Sequence, residues 1–278
     1  MQLIAAGPLD VAKPSFVQTL RSNRKLLLQM IRREVVGRYQ GSAAGVLWSF
    51  LNPLFMLVVY AFVFSVVFKA RWNVTGDESR TQFALVLFSG LIVHSFASEC
   101  LMRAPRLVID NANYVKRVVF PLEILPIVTA GSALFHAAVS YAVLLAGLLF
   151  FNGDLPVTAA LLPLVLAPLC IGLLGLMWFF ASLGVFARDI QQLIGMAMTA
   201  LLFLTPIFFP ATALPEDFRV WMYLNPLTLF VEQSRDVLVW GKVPAWAPLL
   251  LAYVAAIVLA RLGYAWFQRT RKGFADVL

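Results

Sequence analysis

Long apolar stretches alternate along the chain with short segments that hold most of the charges. Each stretch is long enough to cross roughly 30 Å of hydrocarbon as an α-helix, which takes about 20 apolar residues. A helix satisfies its own backbone polar groups, so it is the expected form of such a segment. The pattern predicts an all-α integral membrane protein with about six transmembrane helices at 46–68, 83–102, 122–150, 158–187, 190–209 and 246–267.

The segment 24–39 precedes the first span and has its own helical pattern. Apolar and basic side chains fall on opposite sides of the predicted helix, which is typical of a helix that lies in the membrane interface. The same segment also suits an ordinary anchor that fixes membrane topology. The apolar side holds Leu27, Leu28, Ile31 and Val35, and the basic side holds Lys25, Gln29, Arg32 and Arg33.

Three connections between spans carry further signals. Residues 103–121 contain four basic residues, and Pro105 suits the first turn of a helix, so this segment is either a docking element for a cytoplasmic partner or a solvated linker. Arg188 and Asp189 separate two apolar stretches and predict a tight turn. Residues 210–245 keep helical periodicity with less apolar character, which predicts two short helices on or in the outer leaflet.

Composition and charge give the orientation. Hydrophobic residues make up 61% of the chain and charged residues 13%, about half the charge of a soluble domain. Most of the 22 lysine and arginine residues lie in segments that would be cytoplasmic if both termini were inside, as the positive-inside rule requires. No basic module stands apart from the spans, so nucleic-acid binding is not expected. The resulting division is a cytoplasmic segment 1–45, a transmembrane domain 46–267 and a cytoplasmic tail 268–278.

Several catalytic signatures are missing from the sequence. It contains no phosphate-binding G-x-x-x-x-G-K-[ST] loop and no H-E-x-x-H, G-x-S-x-G or C-x-x-C motif, so neither ATP hydrolysis nor a metal or cofactor is expected on this chain. Few acidic residues lie deep in the spans, which disfavours proton coupling. A membrane enzyme acting on lipid-linked sugars remains an alternative. It would have to use His94, Glu99, Glu123 or His136, although both histidines are equally suited to hydrogen bonds with neighbouring helices.

Aromatic side chains are abundant, and a few of them are candidates to line a passage. Aromatic rings stack on the apolar faces of sugar rings. Tyr60 and Phe64 share one face of the first span, and Phe203 lies on the fifth. Helical spacing alone does not separate a passage-lining face from a packed one.

Four segments resemble a known family and occur in that family's order. They are IRREVVGRYQGSAAGVLWSFLNPLFMLVVYAFVFSVVF at 31–68, NANYVKRVVFPLEILPI at 111–127, NPLTLFVEQSRDVLVWGKVP at 225–244 and RKGFADVL at 271–278. Together they resemble the ABC-2 type permeases that export polysaccharide. The likeness is greatest to O-antigen permeases, with capsule and teichoic-acid exporters as neighbouring branches. A drug or lipid exporter of the same superfamily is a further alternative.

The resemblance implies a mechanism that periodicity does not reveal. Two copies of the chain would pair as a homodimer with two separate ATPase subunits, which would hold ATP and Mg²⁺, and would export an undecaprenyl-diphosphate-linked glycan across the bacterial inner membrane. Each ATPase would dock on a coupling helix between the second and third spans. The diphosphate would meet arginines of the interface helix, or these arginines would contact anionic membrane lipids. The implied residues are Arg106, Asp110, Asn113, Tyr114 and Lys116 for coupling, Arg32, Arg33 and Arg38 for phosphate, and Trp221, Glu232 and Arg235 for an external gate.

Overall fold

The structure is a computed structural model that describes residues 16–64, 80–115 and 120–278. Within these ranges it contains helices and no strand, which confirms the all-α prediction. The first half of the chain forms α1 Phe16–Ser22, α2 Arg24–Gly37, α3 Trp48–Phe62, α4 Arg80–Arg103, α5 Ala112–Val115 and α6 Ile124–Asn152. The second half forms α7 Leu162–Phe186, α8 Ile190–Leu204, α9 Glu216–Leu224, α10 Pro226–Leu238, α11 Trp246–Thr270 and α12 Phe274–Val277.

Five of the predicted spans are present as long apolar helices. Their predicted and observed bounds agree within a few residues, except that the last runs on through the C-terminal turns. Residues 65–68, the end of the first predicted span, lie outside the described residues. The five helical stretches are Gly45–Phe62, Gln82–Arg106, Ile124–Asn152, Val157–Phe186 and Trp246–Val277.

The prediction of a full span at 190–209 is wrong in length. Helix α8 has 15 residues and ends at Leu204, so it is about 22 Å long and shorter than the hydrocarbon layer. Thr205 is extended because the residue before a proline is disfavoured in a helix, and Pro206 follows it. Pro206 and Ile207 are apolar and, like Thr205, are buried inside the protein; they do not continue the helix.

Helix α8 nevertheless follows α4 along most of its length, in the opposite direction. The His94 ring contacts the Met198 carbonyl oxygen at 2.9 Å. Farther along, Val86 and Ile207 offer their carbonyl oxygens to the same side chain, that of Arg235. The turn at Arg188 and Asp189 that precedes α8 is present as predicted. Residues 190–207 therefore return the chain from one end of α4 towards the other.

The helices define two ends of the molecule. At one end, which we call the inner end, Arg271 near the C-terminus pairs with Glu123 at 2.8 Å, and Glu34 of α2 pairs with Arg103 of α4. At the other, the outer end, the Thr158 hydroxyl donates to the Val237 carbonyl oxygen at 2.7 Å. Helix α2, the predicted coupling segment (of 103–121, residues 103–115 and 120–121 are described) and the C-terminal turns thus share one end, while α10 lies at the other.

Helix α2 packs on α6 instead of lying free. Leu27 clusters with Ile124 and Val128, and the Ile31 side chain occupies the space in front of Gly131. The predicted apolar face is correct for Leu27, Ile31 and Val35, but Leu28 is 68% exposed. The three packed residues are spaced four apart and face α6, whereas Leu28 lies about 100° around the helix from Leu27.

Helices α7 and α11 approach each other through glycines. A Cβ atom at Gly263 would lie 2.0 Å from the Gly175 carbonyl oxygen, and one at Gly175 would lie 2.6 Å from the Leu259 carbonyl oxygen. Small residues are the usual means by which membrane helices bring their backbones together. This contact makes α7 and α11 the most closely apposed pair of spans described here.

Candidate functional site

Helix α4 is buried on most of its surface, yet its accessible positions near the inner end are mostly polar. Ser95 and Met102 are exposed, and Ser98 and Glu99 between them are half-buried. Their spacing places them along one face of the helix. Polar groups are costly in hydrocarbon, so a polar stripe on an otherwise buried membrane helix is expected to face water or a polar partner.

Helix α8 extends this stripe. It turns Ile194 and Met198 inwards and exposes Gln191, Gln192 and Thr199, interspersed with the apolar Leu193 and Met196. A groove of about 930 Å³ runs along α8 and includes Met102 of α4. We call this continuous surface the polar wall; it consists of Ser95, Ser98, Met102, Gln191, Gln192 and Thr199.

The three aromatic residues predicted to line a passage have different surroundings. Phe203 is 61% exposed and lines the α8 groove at the end away from Gln191. Tyr60 is half-buried and lines a separate cavity between α3, α4 and α6. Phe64 packs between Phe83 and Phe208, with ring centroids at 5.6 and 6.2 Å. The structure therefore brings Phe203 to the polar wall and leaves Phe64 in the packed interior.

A charge cluster lies at the inner end of the polar wall. Arg38 pairs with Glu99 at 2.6 Å, and Arg103 contacts both Glu34 and Glu99. The Thr129 hydroxyl donates to Glu34 at 3.5 Å, so the cluster joins α2, α4 and α6. The family resemblance implies phosphate binding for Arg38 and does not reveal these pairs. The sequence does contain a sign of these pairs, since in both helices a glutamate is followed four residues later by an arginine: Glu34 by Arg38, and Glu99 by Arg103.

The predicted coupling residues lie on the inner end. Arg106 and Asp110 form an exposed pair at 3.4 Å, and Asn113 is exposed. Tyr114 stacks on Phe120 with ring centroids 4.3 Å apart. Lys116 lies outside the described residues.

The interface helix borders the coupling segment directly. The Arg33 guanidinium lies 3.4 Å from the Tyr114 hydroxyl, and Arg32 is exposed. A cavity of about 310 Å³ separates α2 from the segment and is lined by Arg33, Glu34, Arg103, Arg106 and Asp110.

The coupling segment is anchored firmly to the spans behind it. A Cβ atom at Gly184 of α7 would lie 2.1 Å from the Pro105 carbonyl oxygen, so the two backbones are in contact. The Trp178 indole donates to the Glu123 carbonyl oxygen at 3.0 Å, while the Glu123 carboxylate accepts from Arg271. The Pro105 backbone is therefore packed on α7, and Glu123, just after the segment, is bonded to Trp178 of α7 and to Arg271, just after α11.

The predicted gate residues at the outer end are not equivalent. Arg235 is 3% exposed and donates to the carbonyl oxygens of Val86, Pro206 and Ile207, with distances of 3.0 Å to the first and last. Gly90 makes room for it, since a Cβ atom there would lie 2.7 Å from the guanidinium.

The other two gate residues are more accessible. Burial raises the pKa of Glu232, and the nearby Arg235 opposes that shift. Trp221 of α9 is 71% exposed. Helix α10 is thus bound to the spans, and α9 presents its aromatic residues to the surroundings.

The groups that a membrane enzyme would need are engaged in structural contacts. His94 bonds to α8, and the His136 ring lies 3.4 Å from the Tyr39 hydroxyl, in agreement with the interpretation that the histidines bond to neighbouring elements. Glu99 and Glu123 are both paired with arginines. Among residues 16–64, 80–115 and 120–278, no three metal-binding side chains come together.

The sequence matches the ABC-2 type transporter family over residues 25–239, which include α2 and everything as far as the end of α10. The chain is a member of this family. The resemblance found in the four sequence segments is therefore confirmed. As an ABC-2 protein with several apolar helices, the chain is a multi-pass protein of the inner membrane.

Several curated relatives of this ABC-2 protein are similar over nearly their whole length. The O-antigen export system permease protein RfbA of Klebsiella pneumoniae is 25% identical over 255 residues, 91% of this chain and 95% of the relative. The protein of the same name from Myxococcus xanthus is 25% identical over 264 residues, 94% and 98% of the two chains. The polysialic acid transport protein KpsM of Escherichia coli is 25% identical over 245 residues, 86% and 91% of the two chains.

Proposed function

We propose that this chain is the membrane subunit of an ABC exporter that moves lipid-linked polysaccharide, of the O-antigen class, from the cytoplasm to the periplasm. The polar wall carries this proposal, because an extended polar surface on membrane helices has a physical reason to exist when a hydrophilic polymer passes along it. The names of the curated relatives supply the substrate class. KpsM keeps capsular polysaccharide as the second candidate substrate.

The energy for export would come from a separate ATPase subunit. Two observations support this division of labour. The chain has no phosphate-binding loop, and the inner end exposes a segment with Arg106, Asp110 and Asn113 available to a partner. Because Gly184 contacts Pro105, a push on that segment would reach the spans. ATP and Mg²⁺ would then be held by the partner.

A second copy of the chain would complete the passage. The polar wall is open along one side of a single chain, and a polymer needs a surface on every side to be shielded from lipid. A homodimer arranged around the wall would supply it. Of the arginines proposed to meet the lipid diphosphate, Arg32 and Arg33 are exposed and fit that role, whereas Arg38 is already paired with Glu99.

The outer gate would consist mainly of α9. Arg235 holds α10 to the outer end of α4 and to the chain that follows α8. Helix α9 has no buried charged anchor among its described contacts: it is joined to α10 by the Met222 carbonyl oxygen, which accepts from the Thr228 hydroxyl at 2.7 Å, and Trp221 is exposed on it. Opening would therefore move α9 about this contact while α10 stays fixed.

Deletion of the gene for this chain in its own bacterium tests the proposal. The surface polysaccharide should disappear, lipid-linked glycan should accumulate inside the cell, and the intact gene should restore the wild-type pattern. The polysaccharide that is lost, O-antigen or capsule, decides between the two substrates. Unchanged surface polysaccharide together with altered resistance to drugs or lipids would contradict the proposal.

A double variant tests the coupling assignment. Asp110→Ala with Tyr114→Ala should abolish export while the protein stays in the membrane, and an ATPase subunit should no longer co-purify with it. Asp154→Ala is the matched control, because Asp154 lies in the connection between α6 and α7 at the outer end. Wild-type export from the double variant would remove the coupling segment from the mechanism.

A further inference from the structure

A cavity of about 290 Å³ lies beside the polar wall, inside a single chain. It is enclosed by α3, α4, α6 and the turn after α2. Much of its polar lining belongs to the apolar helices α3, α4 and α6, where such groups are costly and usually functional. We call this cavity the side chamber; its lining includes Tyr39, Asn52, Tyr60, Ser95, His136 and Ser140.

Several polar groups of the side chamber have unused hydrogen-bonding capacity. The His136 Nε2 atom is buried and has no partner in the described part of the chain. Its Nδ1 atom lies 3.4 Å from the Tyr39 hydroxyl, so whichever nitrogen carries the proton, Nε2 still needs a donor or an acceptor. The side chains of Asn52 and Ser95 are exposed and have no hydrogen bond among the described residues. A buried polar atom without a partner calls for an explanation, such as a bound polar molecule.

The side chamber is electrically balanced. Arg38 and Glu99 line its inner end and pair with each other at 2.6 Å. Arg103, which also contacts Glu99, is in turn paired with Glu34. Among the described lining residues no cation is left without an acidic partner to hold a phosphate, so the chemistry favours an uncharged occupant with many hydroxyl groups.

Aromatic residues also line the side chamber. Phe88 and Phe96 of α4 and Tyr60 of α3 are among its lining residues; both phenylalanines are 5% exposed, so Tyr60, which is half-buried, is the most open ring of the three. A pocket with apolar aromatic walls and a few polar groups that orient the ligand is typical of small-molecule sites. Rings of this kind suit the apolar face of a sugar, while histidine, asparagine and serine suit its hydroxyl groups.

The side chamber opens towards the polar wall. Ser95 belongs to both, and Asn52 and Met56 on the facing helix α3 are exposed at the opening. We propose that the side chamber is a binding subsite for one sugar ring of the exported glycan, entered sideways from the polar wall. This inference rests on the proposed function and deepens it, because it assigns a sugar-binding step to the interior of each chain.

Site-specific photocrosslinking tests the inference in living cells. p-Azidophenylalanine replaces Tyr60 in the side chamber, Phe203 on the polar wall, or Val58, which is 59% exposed on α3 and does not line the chamber. After illumination, a glycan adduct appears as a slowly migrating form of the protein that stains after periodate oxidation. The expected result is an adduct at Tyr60 and Phe203 and none at Val58.

The outcomes separate the two proposals. An adduct at Phe203 without one at Tyr60 would overturn the side chamber and leave the proposed function standing. An equal adduct at Val58 and Tyr60 would also overturn the side chamber. Absence of adducts at all three positions, with normal surface polysaccharide in the deletion strain, would refute the proposed function itself.

A pair of filling variants gives a second reading that does not depend on crosslinking. Ser95→Phe would close the opening of the side chamber, and Ser98→Phe adds the same bulk one turn away on the same stripe, outside the chamber lining. At equal amounts in the membrane, export should fall about tenfold further in Ser95→Phe than in Ser98→Phe. Equal export from the two variants would count against the side chamber.

Discussion

Single residues fix the outer end of this ABC-2 protein. Arg235 is buried and donates to main-chain carbonyl oxygens, from Val86 on α4 and from Pro206 and Ile207 after α8. These last two carbonyl groups follow the helix that Thr205 and Pro206 terminate, so they have no helical partner. One side chain therefore satisfies several backbone groups and joins three elements.

Removal of this guanidinium should be costly. Arg235→Ala leaves buried carbonyl groups without donors, which we expect to lower stability by about 3 kcal/mol and the apparent melting temperature of the purified protein by about 10 °C. Thermal unfolding in detergent measures the shift. Arg32→Ala removes an exposed arginine and is the control, for which little change is expected. Equal melting temperatures for the two variants would contradict the role of Arg235.

The family resemblance implies a gate role for Arg235, and its anchoring role is not evident from the sequence. Its partners lie far away in the sequence, and because they are main-chain carbonyl oxygens, which any residue type supplies, the sequence does not identify them. Gly90, whose missing side chain makes room for the guanidinium, looks in the sequence like any other glycine in an apolar run. Pairings between distant backbone and side-chain groups are therefore invisible until the helices are assembled.

At the scale of elements, the contact between α7 and the coupling segment is the tightest link between the inner end and the spans. The Gly184 backbone touches the Pro105 backbone. No larger residue fits at this point unless the two elements separate. The contact is therefore a sensitive place to disturb coupling without touching the polar wall.

The variant Gly184→Ala should separate α7 from the coupling segment. The new methyl group would meet backbone atoms that cannot turn aside, so we expect a loss of about 1–3 kcal/mol in stability and a clear fall in export. Surface polysaccharide and protein in the membrane measure the two effects. Gly195→Ala is the control, because its Cβ atom would have nothing within 4 Å. Wild-type export from Gly184→Ala would show that the contact does not matter.

The charge cluster makes α2 a part of the spanning bundle. Glu34→Arg would place the new arginine next to Arg103, beside Thr129. Export should weaken, because the two like charges repel and Arg103 loses its ion pair with Glu34. Glu34→Arg combined with Arg103→Glu restores opposite charges and should recover much of the activity. Export assays on the single and double variants measure this coupling. No recovery in the double variant would argue that the individual side chains matter for another reason.

At the scale of the whole molecule, α8 exposes one side to the surroundings, with Met196 63% exposed, while α7 and α11 pack closely on each other. This asymmetry predicts where a second copy would sit. In a background where Cys100 and Cys170 are replaced by serine, Met196→Cys should crosslink between two copies with a short bismaleimide. Val254→Cys, on α11, should not. Crosslinking at Val254 and none at Met196 would place the dimer on the wrong side for the polar wall.

Hydropathy predicted most of the architecture because membrane depth imposes a simple rule on helix length. It failed at 205–209, where apolar residues fill the protein interior after α8 has ended, since burial in protein and burial in lipid select the same residue types. The candidate residues Phe203 and Phe64 show the same limit. Both are aromatic residues of apolar stretches, and only the assembled helices expose one and enclose the other.

The anchoring of Arg235 has a consequence for how this family can diverge. Every amino acid supplies a backbone carbonyl oxygen, so positions 86 and 207 can change from one apolar residue to another without weakening the hydrogen bonds to Arg235. Positions 90 and 235 have no such freedom, because position 90 must remain glycine and position 235 must keep the planar guanidinium of arginine. In an alignment of many related sequences, positions 90 and 235 should therefore be conserved, while positions 86 and 207 should vary.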